Sequence, residues 1–451
     1  MESFDIAVIG AGPGGYSAAL RGAALGLSVS IVEKGEIGGV CLNTGCVPAK
    51  SWVAAAETVD FAKAMGQFAA EPFSYTIDFA KMAARQRAIV AQFRKAVTVA
   101  LEKAGVKIFH GEGRFVSPSA MFVGDAKIGF KNAVIAAGSI PARLFDFDPA
   151  LLLDNTSIFD LESAPKSILI IGGGAIGCEM AGVMSRLGAE VTIVEAMRRI
   201  LPMEDAEVAD TLSREFRKRK INVITGSGVA KLEKSGEMIV ATLKDGKTVT
   251  AEKALVSVGR KYATAALGLD KAGVATGARG DIPSDEFGRT SVDNIFAVGD
   301  VAGKNLLAYT AYKEGILAAE VIAGKNPQAP VKTAIPSVVF TIPEIGSVGV
   351  TEDSAPAGHK KGIFLFRALA RAHAAGEIAG FVKIIADGTT DKLLGVHIIG
   401  PRATDMVHTA CIAMACGLTA QKFGEMAFAH PTFAEAMMEA AHDVHGVSIH
   451  K

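Results

Sequence analysis

Cys41 and Cys46, with four residues between them in Gly38-Gly39-Val40-Cys41-Leu42-Asn43-Thr44-Gly45-Cys46-Val47-Pro48-Ala49-Lys50, are the side chains best equipped for chemistry. Two sulfurs at this spacing can close a short disulfide ring, and Gly45 supplies the backbone freedom that such a ring needs. Pro48 sits where a helix can begin, and a thiol just ahead of a helix start is drawn toward thiolate by the positive end of the helix dipole. The stretch therefore predicts a redox-active dithiol. Buried thiols or half of a metal site are the competing readings. Zinc, however, needs four ligands, and no second Cys or Cys/His pair with finger-like spacing lies nearby. A second constellation is Ala429-His430-Pro431-Thr432-Phe433-Ala434-Glu435. Pro431 is expected to open a helix, with His430 just before it and Glu435 about one turn inside. A carboxylate so placed can hold one imidazole nitrogen while the other handles protons. A capping histidine with a solvated glutamate is the alternative.

The chain has 451 residues, half of them hydrophobic, with Lys+Arg and Asp+Glu balanced at 47 each. That length accommodates several domains with substantial cores. A net charge of zero gives no reason to expect a nucleic-acid or membrane-surface partner. Five cysteines in so long a chain make no disulfide framework, so a reducing compartment is expected. The N-terminus enters an apolar strand at Phe4 without a basic region and cleavage site, and no apolar run reaches membrane-spanning length. A cytoplasmic protein without membrane insertion is the expectation, and no metal site is expected.

Two segments repeat one pattern. Ile6–Ile9 is a short strand that stops at Gly10-Ala11-Gly12-Pro13-Gly14-Gly15; a helical pattern and a second strand, Leu27–Val32, then lead to Glu33. In such a βαβ unit Gly10 permits the tight turn, Gly12 the approach of a pyrophosphate, and Gly15 close packing of helix on strand. Glu33 stands where a carboxylate accepts hydrogen bonds from an adenosine ribose. The adjacent dithiol suggests that this dinucleotide is a flavin. The pattern recurs at Ser167–Ile171, the turn Gly172-Gly173-Gly174-Ala175-Ile176-Gly177, a helix through Glu179, and a strand ending at Glu195. Two complete units imply two dinucleotides. Glu195 should bind a ribose 2′-hydroxyl and repel a 2′-phosphate, favouring NAD over NADP, although Arg198 and Arg199 follow closely.

Between and after these units, residues 51–104 read as mainly helical, with the stripe Phe79, Met82, Ile89, Val90, Phe93, Val97 and Leu101 over Asp78–Lys103. Ala133–Ala137 ends at Gly138-Ser139, and Ile239–Leu243 and Thr248–Ala251 flank an Asp245-Gly246 hairpin turn. Leu255–Arg260 is a buried strand leading to Gly259, which can lie beside a nicotinamide. Asn294–Val298 closes on Gly299-Asp300, whose carboxylate can accept bonds from the ribityl hydroxyls of a flavin. From about 336, strands are expected at 337–340, 345–350, 363–369, 380–386 and 393–399, with helices near 404–415 and 432–441, which suggests a separate α+β domain. Cys411 and Cys416 lie within or at the end of an apolar helix; they and Cys178 are expected to be core.

Together, GGVCLNTGCVPAK, the two glycine turns, AVGD at 297–300 and AHPTFAE at 429–435 resemble the FAD-dependent pyridine nucleotide-disulfide oxidoreductases, across essentially the whole chain. That family includes dihydrolipoamide dehydrogenases, glutathione reductases and mercuric reductases. The first branch is the most similar, on Leu42-Asn43, Glu195, the 203–208 run and Ala429–Thr432; the chain lacks the C-terminal cysteine pair usual in mercuric reductases. The resemblance implies an α/β fold with two Rossmann-like dinucleotide-binding domains and a C-terminal α+β dimerisation domain. The expected division is 1–145 for FAD, 146–270 for NAD, 271–335 completing the FAD site, and 336–451 for dimerisation.

The resemblance also implies oxidation of dihydrolipoyl groups with NAD+ as acceptor. Cys41 would be the interchange thiol, Cys46 the flavin-facing thiol, and His430 with Glu435 the base, contributed across a homodimer. The cofactor contacts it implies are Gly10, Gly12, Gly15, Glu33, Lys50, Gly113, Ser139 and Asp300 for FAD, and Gly172, Gly174, Gly177, Glu179, Glu195, Val229 and Gly259 around NAD. Glu179 is expected to pair with Lys50. The partner would be a lipoyl-bearing protein or free dihydrolipoamide. Another disulfide or mercuric reductase of the same family, or a non-catalytic flavoprotein subunit, is the alternative. Val40, Thr44, Ala49, Trp52, Tyr309 and Phe428 depart from the family pattern and bear on the substrate channel and the outer flavin contacts.

Overall fold

A computed structural model describes residues 1–66, 68–70, 75, 77–329 and 331–451. The first apolar run forms β1 (Glu2–Ile9), whose last four residues are buried. Then come α1 (Pro13–Ala24), β2 (Val29–Glu33), α2 (Gly39–Thr44), α3 (Cys46–Met65), α4 (Phe79–Lys103), β3 (Lys107–His110), β4 (Gly113–Ser117), β5 (Ala120–Val123) and β6 (Ala126–Ile135). Strands β3, β2, β1 and β6 are neighbours in that order and parallel. The N-terminal half of β6 continues antiparallel into β5 and β4. Helix α4 starts where the stripe predicts, because the Asp78 carboxylate caps it by accepting the Lys81 N–H at 3.1 Å.

After the short strands β7 (Ser139–Pro141) and β8 (Leu152–Leu153), the second unit comprises β9 (Ser167–Ile171), α5 (Ala175–Arg186), β10 (Glu190–Glu195), α6 (Ala206–Lys218) and β11 (Asn222–Thr225). The expected hairpin lies within β12 (Val229–Ser235), β13 (Met238–Leu243) and β14 (Thr248–Ala251), turning at Gly246 with φ +85°. Strand β15 (Lys253–Val256) then joins the second parallel sheet, ordered β11-β10-β9-β15-β8 among the described residues. The chain returns to the first sheet through β16 (Arg260–Tyr262), which pairs with β7, then α7 (Leu269–Ala272), β17 (Ile295–Ala297) on β6, and α8 (Ala308–Ile322).

Helix α8 lies against α1 at backbone distance. An ideal Cβ on Gly315 would sit 2.2 Å from the Gly14 carbonyl oxygen and 3.1 Å from the Ala18 nitrogen. The Tyr16 hydroxyl donates to Tyr312 at 2.8 Å, and Arg21 pairs with Glu320, so both ends of the crossing are pinned.

The last part is an antiparallel sheet ordered β18-β19-β22-β21-β20, built from β18 (Pro336–Val339), β19 (Glu344–Gly349), β20 (Lys360–Leu365), β21 (Phe381–Ala386) and β22 (Leu393–Gly400). It carries α9 (Ala370–Ala375), α10 (Ala403–Ala415), α11 (Ala420–Gly424) and α12 (Glu435–Asp443). The strand expected at 363–369 runs instead over 360–365. As an edge strand β20 tolerates the exposed Lys360 and Lys361, and it ends where the Leu369 N–H folds back onto the Phe366 carbonyl at 2.9 Å.

One buried cluster joins all three parts, from Ala49, Trp52 and Val53 of α3 through Ile168, Met180 and Val191 to Val339, Ile345 and Phe381. The C-terminal sheet is further clamped to α6 by Lys383, whose ammonium is almost fully buried and meets Asp205 at 2.8 Å, Glu352 at 2.7 Å and Glu207 at 3.0 Å.

Gly315→Ala tests the close crossing of α1 and α8. Helix propensity alone favours alanine by about 1 kcal/mol. The clash with Gly14 reverses that sign, and a net loss of about 2 kcal/mol is expected in chemical unfolding. A stabilised variant would show that the helices part freely.

Candidate active site

The dithiol stretch is helical on both sides of Gly45. Cys41 lies in α2 and Cys46 is the first residue of α3, so the helix starts two residues ahead of the expected Pro48. Pro48 is accommodated because N–H groups of the first turn have no intrahelical partner to lose. Gly38 (φ +103°) and Gly39 (φ +60°) lead into the stretch, and a Cβ on Gly39 would lie 2.7 Å from the Gly12 Cα, so the redox segment rests on the start of α1. Asn43 holds it there: its amide donates to the carbonyls of Gly39 at 2.9 Å, Ile37 at 3.1 Å and Glu36 at 3.3 Å. Its carbonyl oxygen in turn accepts the Arg94 Nε–H at 2.9 Å.

The two sulfurs share one proton unequally. The hydrogen bond from Cys41 lowers the Cys46 thiol to about 7; burial opposes this and the Lys50 charge assists it. Cys41, which keeps the proton, is pushed far up by the same bond and by burial. Cys46 also stands at the N-terminus of α3, where the helix dipole favours a negative sulfur.

Around them the expected partners assemble. The Lys50 ammonium donates to both oxygens of Glu179, at 2.8 and 3.0 Å, and lies 4.5 Å from the centre of the Phe340 ring. Glu179 also accepts the Phe340 N–H at 3.0 Å, so α3, α5 and the residue following β18 converge on one carboxylate. Ser139 donates its hydroxyl to Asp300 and accepts the Arg260 Nε–H at 2.6 Å. Arg260 further donates to the Ser139 carbonyl at 2.7 Å and to Asn155 at 3.3 Å. The Asp300 loop is fixed from behind by Glu314, which accepts the Gly299 N–H at 2.6 Å. Sequence reasoning missed Asn43, Arg94, Asn155 and Arg260 as members of this network. Asn43 carried a local signal, an amide inside a glycine-rich turn; the others had none.

The glycine turns test whether dinucleotides fit. Gly12 and Gly174, the residues preceding α1 and α5, share φ −74° and ψ −174°, and neither helix has a side-chain cap. The first turns of both helices, beyond Pro13, which has no N–H, therefore offer N–H groups to an anion. A Cβ on Gly15 would sit 1.8 Å from the Gly10 carbonyl oxygen, and one on Gly177 2.1 Å from that of Gly172. Helix and strand thus touch backbone to backbone, while the space beside Gly174 and Gly259 is open. Each unit's acid folds back on its own turn: Glu33 accepts the Ala11 N–H at 2.7 Å and the Gly35 N–H at 2.8 Å. Glu195 accepts the Gly173 and Met197 N–H groups, both at 2.7 Å. Gly113 is buried under Val32 at the end of the first sheet, and Val229 opens β12 half-buried beside the second. The residues present fit two dinucleotides.

His430 and Glu435 meet as expected but by another route. Glu435 is the first residue of α12, not one turn inside a helix begun at Pro431. Its carboxylate accepts the Thr432 N–H at 2.7 Å and holds His430 Nδ1 at 2.8 Å, so a non-helical turn makes the pair. The imidazole is 72% exposed while the carboxylate is 15% exposed, presenting Nε2 outward. Among the described residues no hydrogen bond or ion pair links this dyad to Cys41 or Cys46 of the same chain.

Several departures resolve. Trp52 is fully buried, edge-on to Phe79 and Phe159, and so packs the core and does not line a channel. Tyr309 donates its hydroxyl to the Pro336 carbonyl, joining α8 to β18, and burial pushes its phenol up to about 12. Phe428 stacks edge-on against Phe423. Cys178 is core, as expected, and Cys411 is half-buried. Cys416 is exposed, contrary to expectation, because it caps the end of α10 where the helix leaves the sheet. No helix among the described residues is long and apolar enough to cross a membrane, and none of their His, Cys, Asp and Glu side chains form a metal-binding group.

A family model described as pyridine nucleotide-disulphide oxidoreductase matches residues 4–315, and that family's dimerisation-domain model matches residues 335–441. A Bacillus subtilis protein named dihydrolipoyl dehydrogenase is 38% identical over 470 residues, covering 99% of each chain. A namesake from Thermus scotoductus is 40% identical over 462 residues, covering 100% of this chain and 99% of its own. Among solved structures, LpdA from Mycobacterium tuberculosis superposes with a TM-score of 0.90 at 25% identity, covering 98% of this chain and 99% of its own. The HOCl-induced flavoprotein disulfide reductase RclA from Escherichia coli, as its Cu(II) complex, gives 0.88 at 25% identity, with 98% and 99% covered.

The unequal sharing of the proton has a direct readout. In the reduced protein, thiolate absorbance and alkylation by iodoacetamide should titrate with a midpoint near 7, falling below it as Cys46 protonates and levelling above it. Cys41→Ala removes the donor and should move that midpoint upward toward the ordinary thiol range. An unmoved midpoint would assign the effect to Lys50 and the helix dipole instead.

Proposed function

The chain belongs to the pyridine nucleotide-disulphide oxidoreductase family, and from that premise we propose that it is a homodimeric dihydrolipoyl dehydrogenase. It oxidises dihydrolipoyl groups to the cyclic disulfide, with FAD and NAD as cofactors. The observation that carries this reading is the dithiol itself, one sulfur favoured as thiolate at a helix N-terminus and its neighbour holding the proton. When bound, FAD accepts the electron pair from the dithiol and NAD+ carries it away as hydride.

The chain's own residues perform the sulfur chemistry. With Cys41 and Cys46 joined as a disulfide, a substrate thiolate attacks the Cys41 sulfur; a new S–S bond forms, and Cys46 leaves as the better leaving thiolate because its pKa is the lower. The second substrate thiolate then attacks its own sulfur in the mixed disulfide, closing the lipoyl ring and releasing Cys41. Each attack needs a thiol deprotonated, and His430 takes that proton at Nε2 while Glu435 holds Nδ1 and stabilises the imidazolium. Because no hydrogen bond or ion pair among the described residues links this dyad to the dithiol of its own chain, we assign it to the dithiol of the partner subunit, a reading supported by the dimerisation-domain match.

Lys50, held by Glu179, keeps positive charge beside Cys46. Gly10, Gly12, Gly15, Glu33, Gly113, Ser139 and Asp300 would hold FAD; Gly172, Gly174, Gly177, Glu195, Val229 and Gly259 would hold NAD. The corresponding division is 1–145, 146–270, 271–335 and 336–451. A lipoyl-bearing protein as substrate and a cytoplasmic location complete the proposal.

His430→Gln should lower dihydrolipoamide oxidation by about 10²–10⁴-fold, with bound yellow cofactor and dimer retained. Turnover at the wild-type rate would remove the proposed base. Cys41→Ser should likewise keep the cofactor and lose lipoamide turnover altogether; residual wild-type kinetics would end the dithiol mechanism.

A further inference from the structure

We propose that Tyr312 donates a hydrogen bond to the Cys41 sulfur and stabilises it as the departing thiolate when the lipoyl ring closes, a role that rests on the dihydrolipoyl chemistry proposed above. Three elements bring this phenol to the dithiol. The redox segment is seated on the start of α1, where the Gly38 N–H donates to the Ala11 carbonyl at 2.9 Å and Gly39 abuts Gly12. Tyr16 stands one turn into that helix, its N–H bonded to the Gly12 carbonyl at 3.0 Å. Helix α8 crosses α1 at the same level, since a Cβ on Gly14 would lie 3.6 Å from that of Ala311, the neighbour of Tyr312.

Tyr309 and Tyr312, three residues apart on α8, share one face of the helix. Burial raises the phenols of Tyr16, Tyr309 and Tyr312; charge on Cys46 adds to all three, and charge on Cys41 adds to Tyr16 and Tyr312. The three hydroxyls are committed differently. Tyr309 gives its hydrogen to the Pro336 carbonyl, and Tyr16 gives its own to Tyr312 at 2.8 Å. Tyr312 accepts that bond, and among the described residues its own hydrogen has no acceptor. The two rings lie 5.6 Å apart at 57°, which fixes where the hydroxyls meet. A hydroxyl that already accepts one hydrogen bond donates the next more strongly.

Ring closure has a use for that hydrogen. The second substrate thiol gives its proton to His430 Nε2, an S–S bond forms within the lipoyl ring, and the bond to Cys41 breaks. The electron pair departs on Cys41, the poorer leaving group of the two sulfurs, because the hydrogen bond to Cys46 and burial push its thiol far up. His430 must be neutral to take a proton at that moment, so it cannot also donate to Cys41. Tyr312 supplies the donor and keeps its proton, being a phenol that burial holds neutral.

The test isolates Cys41 in a reduced, flavin-loaded Cys46→Ser protein and follows its alkylation by iodoacetamide against pH, read by peptide mass at Cys41. Adding Tyr312→Phe should raise the midpoint by about one unit, the worth of a hydrogen bond to a charged group. In the enzyme with both cysteines, Tyr312→Phe should lower kcat for dihydrolipoamide about tenfold or more, with KM unchanged. A purely structural tie between α1 and α8 would lower the melting temperature and leave the Cys41 midpoint where it was, and that result overturns the inference. Should Tyr312→Phe fail to fold, Tyr16→Phe, which removes only the supporting hydroxyl, should raise the midpoint in the same direction; an unmoved midpoint there overturns it equally. Because the titration contains no substrate, the two readings fail separately. A wild-type protein that does not oxidise dihydrolipoamide ends the proposed function, whereas an unmoved midpoint in an active enzyme ends the role of Tyr312 alone.

Discussion

Helix α3 cannot shift without breaking the ion pair between Lys50 and Glu179, and the placement of the dithiol depends on that constraint. The helix starts at Cys46, reaches Lys50 after one turn and buries Trp52 between the two nucleotide units. Glu179 is nearly buried and Lys50 about one-third exposed. Loss of one partner should therefore cost more than the ~1 kcal/mol of an exposed pair and less than the ~3–5 kcal/mol of a wholly buried one. A sulfur at the first position of a helix inherits the rigidity of everything the helix touches. Here that includes the second unit through α5 and the C-terminal sheet through Phe340.

The two nucleotide units solve one steric problem twice. In each, a helix must approach a strand until only glycine fits, and the acid at the end of the next strand turns back to hold the glycine loop from below. The units differ in what surrounds that shared device. The first carries the redox segment against the start of α1, with Asn43 and Arg94 fixing it. The second leaves open space beside Gly174 and Gly259. The difference follows from the division of labour: one unit must present sulfur rigidly, the other must admit and release a soluble coenzyme.

Proton handling is similarly divided. Within one chain the Cys41–Cys46 pair has already settled which sulfur keeps the proton, so an external base is required only when a substrate thiol arrives. In the proposed mechanism the His430–Glu435 dyad serves that moment. Its carboxylate is screened from water and anchored by a backbone N–H, while its imidazole projects outward.

Much of this was legible in the residue order. Both βαβ units, the dithiol, the hairpin at Gly246, the Asp300 loop and the His–Glu pairing follow from patterns within a few residues, because strand alternation, helical spacing and turn chemistry are local properties of the backbone. Boundaries were less faithful: α3 begins before Pro48, β20 before Ile363, and α12 only at Glu435, each decided by hydrogen bonds that a propensity does not contain. Pairing across the chain was legible only where a motif named both ends, as for Lys50 and Glu179, 129 residues apart. The Arg260 bridge to Ser139 and Asn155, the burial of Trp52 and the exposure of Cys416 belong to the tertiary structure alone. Such contacts join faces of elements far apart in sequence, and which faces meet is set by the packing of whole layers and not by any neighbour along the chain.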